Sequence, residues 1–392
     1  MIMLAVEAVT LGQEELYNLY QNSATKLLEQ DGNLKIGGYG EVHYNQQLQK
    51  ETYNPGNLDV HRFVLLTGYS FSDRMQLITE IEFEHVKEVY IEQAFLQYKL
   101  KPSLNLRAGL VLIPAGIINL YHEPTAFHGV ERPVIDQYIV PSTWREIGAG
   151  VAGRILPLKI TYEFYVTNGL KSWDNGPALN GAKGLRGGRQ KGAESFITSP
   201  DLSGRIEYFG IRGLNAGLSF YTGPSQSNAY KGLSKDDQAA VVSADSTVVG
   251  VTLAGADIRY QRSVWKLNGQ LYYTSLSNTQ AYNIFSGDDN GPNDLGRSMT
   301  GYYAEISYNL FRAAGIRDMQ LFPFVRYEWI DTHNTVDNDI QRNDNYRKEI
   351  ITAGISFYPA QNTVVKADMQ WMNPQGDAAS TTWLNLGIGF MF

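Results

Sequence analysis

The sequence predicts an all-β fold, a transmembrane antiparallel β-barrel of about 16 strands with a short N-terminal helix. From residue 34 to the end, apolar and polar residues alternate, which is the pattern of strands with one apolar face and one polar face. Short and long connections also alternate along this region, as the two ends of a membrane barrel require. No apolar run approaches the roughly 18 residues of a transmembrane helix, so a helical membrane protein is excluded.

The composition fits one barrel better than two or three soluble domains. The chain of 392 residues has 25 Tyr, 16 Phe and 38 Gly, which suits aromatic girdles, tight turns and small lumen-facing residues. It has no Cys, which permits an oxidising compartment without requiring one. The formal net charge of -7 argues against a nucleic-acid partner and allows an acidic lumen.

Residues 1–33 are predicted to form an N-terminal unit of their own. The start, Met1–Ala8, is apolar but lacks a basic region, since the first Lys is Lys26, so it is not a complete signal peptide. A truncated leader and a cloning artefact both remain open. Thr10–Gln30 has helical spacing of its apolar residues and a capping box formed by Thr10 and Gln13. The helix is expected either to plug the lumen or to pack near the periplasmic mouth.

Residues 34–392 are predicted to form the barrel itself. Short turns are expected on the periplasmic side and long polar loops outside, with His85–Glu88 as a short connection at an outside position. The basic loop 169–200 is interpreted either as a docking site for lipopolysaccharide phosphate or an anionic solute, or as a solvated loop. The predicted strands are 34–48, 58–71, 75–85, 89–100, 104–113, 145–155, 160–168, 202–209, 214–221, 247–261, 265–275, 299–310, 320–330, 346–357, 363–372 and 382–392.

The last strand has one apolar face and ends on an aromatic residue. It looks like the C-terminal strand of Gram-negative outer-membrane barrels, whose final Phe is recognised by the assembly machinery. This resemblance implies that Phe392 binds the assembly machinery. The predicted lipid-facing set includes Leu106, Phe164, Ala353, Ile355, Leu386 and Ile388.

The opposite faces of the strands carry the candidate pore-lining residues. Glu80, Glu82 and Glu84 alternate on one strand, roughly 7 Å apart, and would favour cations if unpaired. Pairing with Arg62 and Arg107 is the alternative. The predicted pore-lining residues are Glu41, Arg62, Glu80, Glu82, Glu84, Arg107, Glu163, Arg205, Asp257, Arg259, Lys266, Arg326, Glu328, Lys366 and Asp368.

Several segments resemble one family of porins. Glu92–Leu110 with Ile113–Gly116 resembles the strand-turn-strand before the third loop of the phosphate-selective porin O and P family. His122–Pro133 and Ile139–Gly150 are similar to the loop and re-entry strand of related outer-membrane porins, including many from Bacteroidetes, and Leu34–Glu41 to their opening strand. The resemblance covers roughly residues 34–155 and the last strand.

The resemblance implies that the third loop folds into the lumen and narrows it. That role falls to Pro114–Ser142, held against the wall by Tyr121, Phe127 and Trp144. The family also suggests a homotrimer. Its phosphate selectivity rests on arginines and lysines, and the many carboxylates here depart from that pattern. The candidate constriction residues are Tyr121, His122, Glu123, His128, Glu131 and Arg132.

No catalytic motif is apparent in the chain. Gly-x-Ser-x-Gly and His-Glu-x-x-His are both absent, and no enzyme activity, cofactor or metal site is expected. His122, Glu123, His128 and Glu131 crowd one loop, but Pro124 breaks any helix that would present them together. Hydrogen-bonded loop anchors are the favoured interpretation of these residues.

The predicted function is a passive channel for small hydrophilic solutes or ions in the outer membrane of a Gram-negative bacterium. Outer-membrane lipid and lipopolysaccharide would surround it. The alternative is a structural or partner-bound barrel, possibly plugged, that belongs to a larger outer-membrane complex.

Overall fold

The computed structural model describes residues 22–48, 53–101, 103–289 and 291–392, and within them sixteen antiparallel strands close into a barrel. The predicted fold class is confirmed. The barrel strands are β1 (Leu34–Leu48), β2 (Asn57–Ser70), β3 (Met75–Glu84), β4 (Glu88–Lys101), β5 (Leu104–Leu112), β6 (Arg145–Ile155), β7 (Ile160–Thr167), β9 (Asp201–Tyr208), β10 (Leu214–Pro224), β12 (Gly250–Arg262), β13 (Trp265–Ser277), β14 (Ser298–Tyr308), β15 (Gln320–Thr335), β16 (Arg347–Tyr358), β17 (Thr363–Pro374) and β18 (Thr381–Met391).

The other elements are short. A parallel pair, β8 (Lys171–Trp173) and β11 (Gln226–Ser227), forms a separate sheet. The helices are α1 (Ser23–Glu29), α2 (Ile117–Leu120), α3 (Ile135–Tyr138), α4 (Gln238–Asp245), α5 (Thr279–Phe285) and α6 (Leu310–Ala313). None of the helices in the described part of the chain is long and apolar enough to cross a bilayer.

The first and last strands close the barrel. In the pairing of β1 with β18, Tyr39 lies opposite Met391 and Leu48 opposite Thr382. The backbone of Gly38 exchanges two hydrogen bonds with Phe392, at 3.0 and 2.8 Å. A Cβ on Gly38 would lie 2.4 Å from the carbonyl oxygen of Val64, so this close approach requires glycine. Closure gives every described strand of the barrel a neighbour on both sides.

The outer surface of the barrel is apolar. Along β18, Leu386 and Ile388 are 42% and 58% exposed, whereas Asn385 on the inward face of the strand is buried. Leu106 and Ile355, also predicted to face lipid, are exposed in the same way. The chain is therefore an outer-membrane type of barrel with its apolar side chains on the outside and its polar side chains inside.

The largest hydrophobic cluster lies inside the barrel. It joins residues between β5 and β6, such as Ile118 and Ile135, to wall residues such as Tyr272. Leu179 and Leu185 of the loop 169–200 belong to the same cluster. These leucines anchor the loop on the cluster, while its basic residues Lys183 and Arg186 remain exposed.

Helix α1 also lies against the inner wall. Ala24 and Leu28 pack with Ile78 and Phe95, whose side chains face the lumen. The side chain of Asn22 accepts a hydrogen bond from the backbone N–H of Thr25 and caps the helix. The described helix lies inside the lumen at its short-turn end, where the carbonyl of Leu28 accepts from Lys35 and Gln76, so it shares features of both predicted placements. The predicted helix start at residues 10–13 lies outside the described residues.

Candidate pore and its inward segment

The inward segment, residues 113–144 between β5 and β6, crosses the lumen and bonds to its wall. The backbone N–H of Gly116 donates to the hydroxyl of Tyr272 at 2.7 Å. At the far side, the N–H of Val130 donates to Asp368 at 2.7 Å. These wall residues belong to β13 and β17, so the segment contacts widely separated parts of the barrel.

One arginine joins the inward segment to two wall carboxylates. The Nε of Arg326 donates to Glu328 at 2.8 Å, and its guanidinium lies 3.5 Å from Glu305 on the neighbouring strand. It also donates to the carbonyl oxygens of His128 and Glu131, at 3.3 and 3.1 Å. Arg326 is 1% exposed, so its charge is balanced by these partners rather than by bulk water.

The predicted carboxylate ladder of β3 is largely paired. Arg62 donates to Glu41 at 2.5 Å and lies 3.8 Å from Glu82. Glu80 accepts hydrogen bonds from Tyr39 at 2.8 Å and from Gln93 at 2.6 Å. Of the two arginines expected to pair with the ladder, Arg62 therefore lies near one member, Glu82, whereas Glu80 has other partners.

The third ladder member and Arg107 have other neighbours. Glu84 lies at the rim, 4.0 Å from His85. Arg107, the other expected partner of the ladder, pairs instead with Glu163 at 2.8 Å.

His122 links the inward segment to β3 and β4. Its Nε2 lies 3.2 Å from both Glu80 and Glu92, and its Nδ1 lies 3.2 Å from the carbonyl oxygen of Asn119. Burial lowers the pKa of His122, but the carboxylates of Glu92 and Glu80 outweigh it and raise the pKa to about 10. The imidazolium is thus an ion-paired anchor at neutral pH.

Glu92 is a functional residue that the alternation of the sequence missed. By parity it shares the outward face with Ala94 and Leu96, yet it is fully buried. A register shift next to Glu80 pairs that residue with Gln93, so Glu92 is left over as a bulge and turns inward. The sequence signal for this bulge was the pair of successive polar residues Glu92 and Gln93 in an otherwise alternating strand.

The opposite wall holds a second group of ion pairs. Arg205 lies 2.5 Å from both Glu207 and Asp257, and Arg259 lies 3.1 Å from Glu207. The guanidinium of Arg259 also covers the ring of Tyr121 at 3.7 Å, so cation–π contact attaches the inward segment here.

Aromatic rings of the lumen also cover lysines. The ammonium of Lys366 lies 3.8 Å from the ring of Phe127, in the inward segment. That of Lys266 lies 4.2 Å from the ring of Phe322 on the wall. Cation–π contacts stabilise by about 0.5–1 kcal/mol at exposed sites and by about 2 kcal/mol or more when desolvated, as for the buried Lys366.

The predicted pore-lining residues all lie on inward faces of their strands. Most are buried, because the inward segment and its ion pairs cover them. The buried members are Glu41, Arg62, Glu80, Glu82, Arg205, Asp257, Arg259, Arg326, Glu328, Lys366 and Asp368, and the half-buried ones are Glu84, Arg107, Glu163 and Lys266.

The constriction-loop candidates have separate partners. His122 binds the two carboxylates described above, whereas His128 contacts Ser356 and Ser307 at 3.1 and 3.0 Å. Glu123 accepts from the backbone N–H of Ser23, and Glu131 from Asn45, both at 2.9 Å. Tyr121 and Arg132 are half-buried. The loop-anchor interpretation fits these positions.

A cavity of about 1110 Å³ occupies the short-turn end of the lumen. Helix α1 forms one side of it, and Leu120 and Tyr121 of the inward segment contribute to its lining. Its other walls carry charges of both signs, including Arg107, Glu163 and Arg154. The cavity is thus a polar vestibule that leads to the inward segment.

Comparison with known proteins supports the porin fold. No protein-family profile matches the chain. An uncharacterized protein of Aquifex aeolicus (strain VF5) is 29% identical over 359 residues, which are 88% of this chain and 77% of that protein. The anion-selective porin from Comamonas acidovorans is 12% identical, with a TM-score of 0.58 over 92% of this chain and 99% of that one. The fold is that of an outer-membrane porin.

Two further porin-fold structures agree. OmpF of Salmonella typhi, in a complex with daunomycin, is 12% identical, with a TM-score of 0.57 over 92% of this chain and 98% of that one. OmpT of Vibrio cholerae in its trimer form is 10% identical, with a TM-score of 0.54 over 93% of this chain and all (100%) of that one. Identities this low show the fold alone, so the phosphate-selective porin O and P family is not shown.

Proposed function

We propose that this porin-fold barrel is a narrow diffusion channel for small hydrophilic solutes or ions in the outer membrane of a Gram-negative bacterium. The inward segment 113–144 is its constriction. The observation that carries the proposal is the set of hydrogen bonds from this segment to inward-facing residues of the wall, such as Tyr272 and Asp368. A loop fixed in this way limits the width of the passage without closing off the vestibule below it.

The lumen charges favour weak ion selectivity. Arginines and carboxylates alternate in close pairs, as in Arg62 with Glu41 and Arg205 with Asp257. Paired charges produce little net field, so neither phosphate nor a particular cation is strongly attracted. The proposed solutes are therefore selected mainly by size, and the channel acts without catalysis.

The partners follow from an outer-membrane position. Lipid and lipopolysaccharide would contact the apolar outer face, and the assembly machinery would bind the strand that ends at Phe392. A homotrimer, the form recorded for OmpT, is also part of the proposal.

A second candidate is a barrel that is closed at rest. It is favoured by the burial of charged residues at mid-height, such as Arg326 and Glu328, and by the position of α1 in the lumen. Solute would then pass only after the inward segment moves, or the barrel would serve a larger complex.

Conductance in planar bilayers tests both candidates. The variant lacks residues 124–131 of the inward segment, and the matched control lacks the equally long helix α4, residues 238–245, which lies in the connection between β11 and β12. The proposal expects small wild-type channels, larger channels after the first deletion and no change after the second. A silent wild type with a conducting 124–131 deletion would identify the closed barrel. Equal conductance of all three proteins would show that the inward segment restricts nothing.

A further inference from the structure

Three metal-ligating side chains meet at the rim of the barrel, at the end where the long loops lie. The Nδ1 of His85 lies 2.6 Å from Oδ2 of Asp59, and the Nδ1 of His61 lies 3.7 Å from the same oxygen. One ligand atom from each residue lies within 4.8 Å of the other two. The side chains are between 21% and 40% exposed, so an ion from solution can reach them.

A β-bulge brings Asp59 and His61 to this position. By parity, both would share the outward face with Phe63. The pairing of β1 with β2 shifts after Glu41, so that His43, an inward-facing residue, lies opposite Asp59. Bulges often re-aim side chains at barrel rims. The ring of His43 stacks on that of His61 with centroids 4.5 Å apart, which holds the His61 imidazole in place.

A tight turn brings His85 to the same place. The N–H of Lys87 donates to the carbonyl of Glu84 at 3.3 Å, and both central residues have positive φ, 53° for His85 and 67° for Val86. Such turns usually contain Asn-Gly. The β-branched Val86 at a positive φ costs about 1–3 kcal/mol of backbone strain. His85 and Val86 are therefore unfavourable residues for this type of turn. The geometry of the turn places the His85 ring against Asp59.

We propose that Asp59, His61 and His85 form a binding site for a divalent transition-metal ion. Two imidazoles and one carboxylate are a donor set that Zn²⁺, Ni²⁺ and Cu²⁺ accept. Three protein ligands leave a position open for water or an exchanging ligand. Metal–ligand bonds of about 2.0–2.2 Å place the ligands of a tetrahedral ion roughly 3.5 Å apart, so side-chain rotations suffice to close the site.

The buried group of Glu80, Glu92 and His122 is the weaker candidate for a metal. Its carboxylates already face the His122 imidazolium, and the guanidinium of Arg145 lies 3.8 Å from Glu92. A cation would have to displace these charges inside the lumen, whereas the rim site is open to solution and has a single carboxylate. The rim site does not depend on the proposed channel function.

Zinc titration of the refolded barrel in detergent, followed by calorimetry, tests the proposal. The variants are His85→Asn and Asp59→Asn, and Asn suits the positive φ at position 85. The matched controls are Glu88→Gln, an exposed rim carboxylate, and Glu92→Gln, from the buried group. We expect one Zn²⁺ per wild-type barrel, affinity at least about tenfold weaker in both site variants, and no change in the controls.

Three outcomes would overturn the site. They are no saturable zinc binding by the wild type, unchanged affinity in both site variants, and loss of binding in Glu92→Gln alone. Heat-modifiable mobility on gels checks that each variant is folded. As a second readout, the EPR spectrum of bound Cu²⁺ should show two coordinated nitrogens in the wild type and one in His85→Asn, whether or not the affinities can be compared.

Discussion

Replacing Arg326 by Met should release the inward segment while leaving the barrel closed. The change removes two hydrogen bonds to segment carbonyls and leaves Glu305 and Glu328 buried without their cation. Breaking a buried pair from one side costs about 3–5 kcal/mol. If this cost falls on docking of the segment, the equilibrium constant for its opening rises roughly 100- to 4,000-fold. The double variant with Glu328→Gln should recover about 1–3 kcal/mol, because one orphaned charge is gone.

Hydrogen exchange in detergent measures this release. The amides of Val130 and Val134 are protected by Asp368 and Glu328 and should exchange much faster in Arg326→Met. Strand amides of the barrel serve as the internal control and should keep their protection. Unchanged protection of both segment amides, with a folded barrel, would refute the role assigned to Arg326.

Four other predictions concern the lipid face, the C-terminus, the lumen charges and pH. Leu386→Arg, at the middle of an outward face, should cost about 2–4 kcal/mol in urea unfolding, whereas Leu386→Phe should cost little. Deleting Phe392 should reduce outer-membrane yield far more than the stability of refolded protein, and normal insertion would contradict this. The wild-type reversal potential in a KCl gradient should show little preference for either ion, because Glu80 faces His122 and Glu82 faces Arg62; a clear cation preference that Glu80→Gln with Glu82→Gln removes would show a free ladder. The folded pKa of His122, about 10, exceeds its ordinary value, so its anchoring is complete below about pH 6.5 and is lost as pH rises through 10. Channel conductance should therefore increase above pH 10 in wild type but not in His122→Gln.

Much of the barrel could be predicted because each strand meets two different environments. Lipid on one side and a polar lumen on the other impose a period of two, and this period is visible in a single sequence. The first strand, 34–48, and the strand 145–155 were predicted with the bounds that the structure gives. The inward and outward faces of the last strand were also predicted, since Leu386 is exposed and Asn385 is buried.

Bulges were not predictable from the same period. One leftover residue in β4 turns Glu92 inward, and another in β2 turns Asp59 towards the rim site. A bulge locally exchanges the inward and outward faces of a strand. Its position depends on the register with the neighbouring strand, so it cannot be deduced from the sequence of one strand.

The sequence by itself determined the class of fold, the approximate number of strands and the outward face of each regular strand, because those features depend on local alternation. Only the tertiary structure decided what fills the lumen. Arg62 pairs with Glu41 across two strands, and Arg326 reaches the carbonyl oxygen of His128, 198 residues away in the chain. From the sequence alone, a charged residue on one strand could form an ion pair with opposite charges on many other strands. Closing the barrel and folding the inward segment through it selects the partners, because a buried charge must find its counter-charge within a few ångströms.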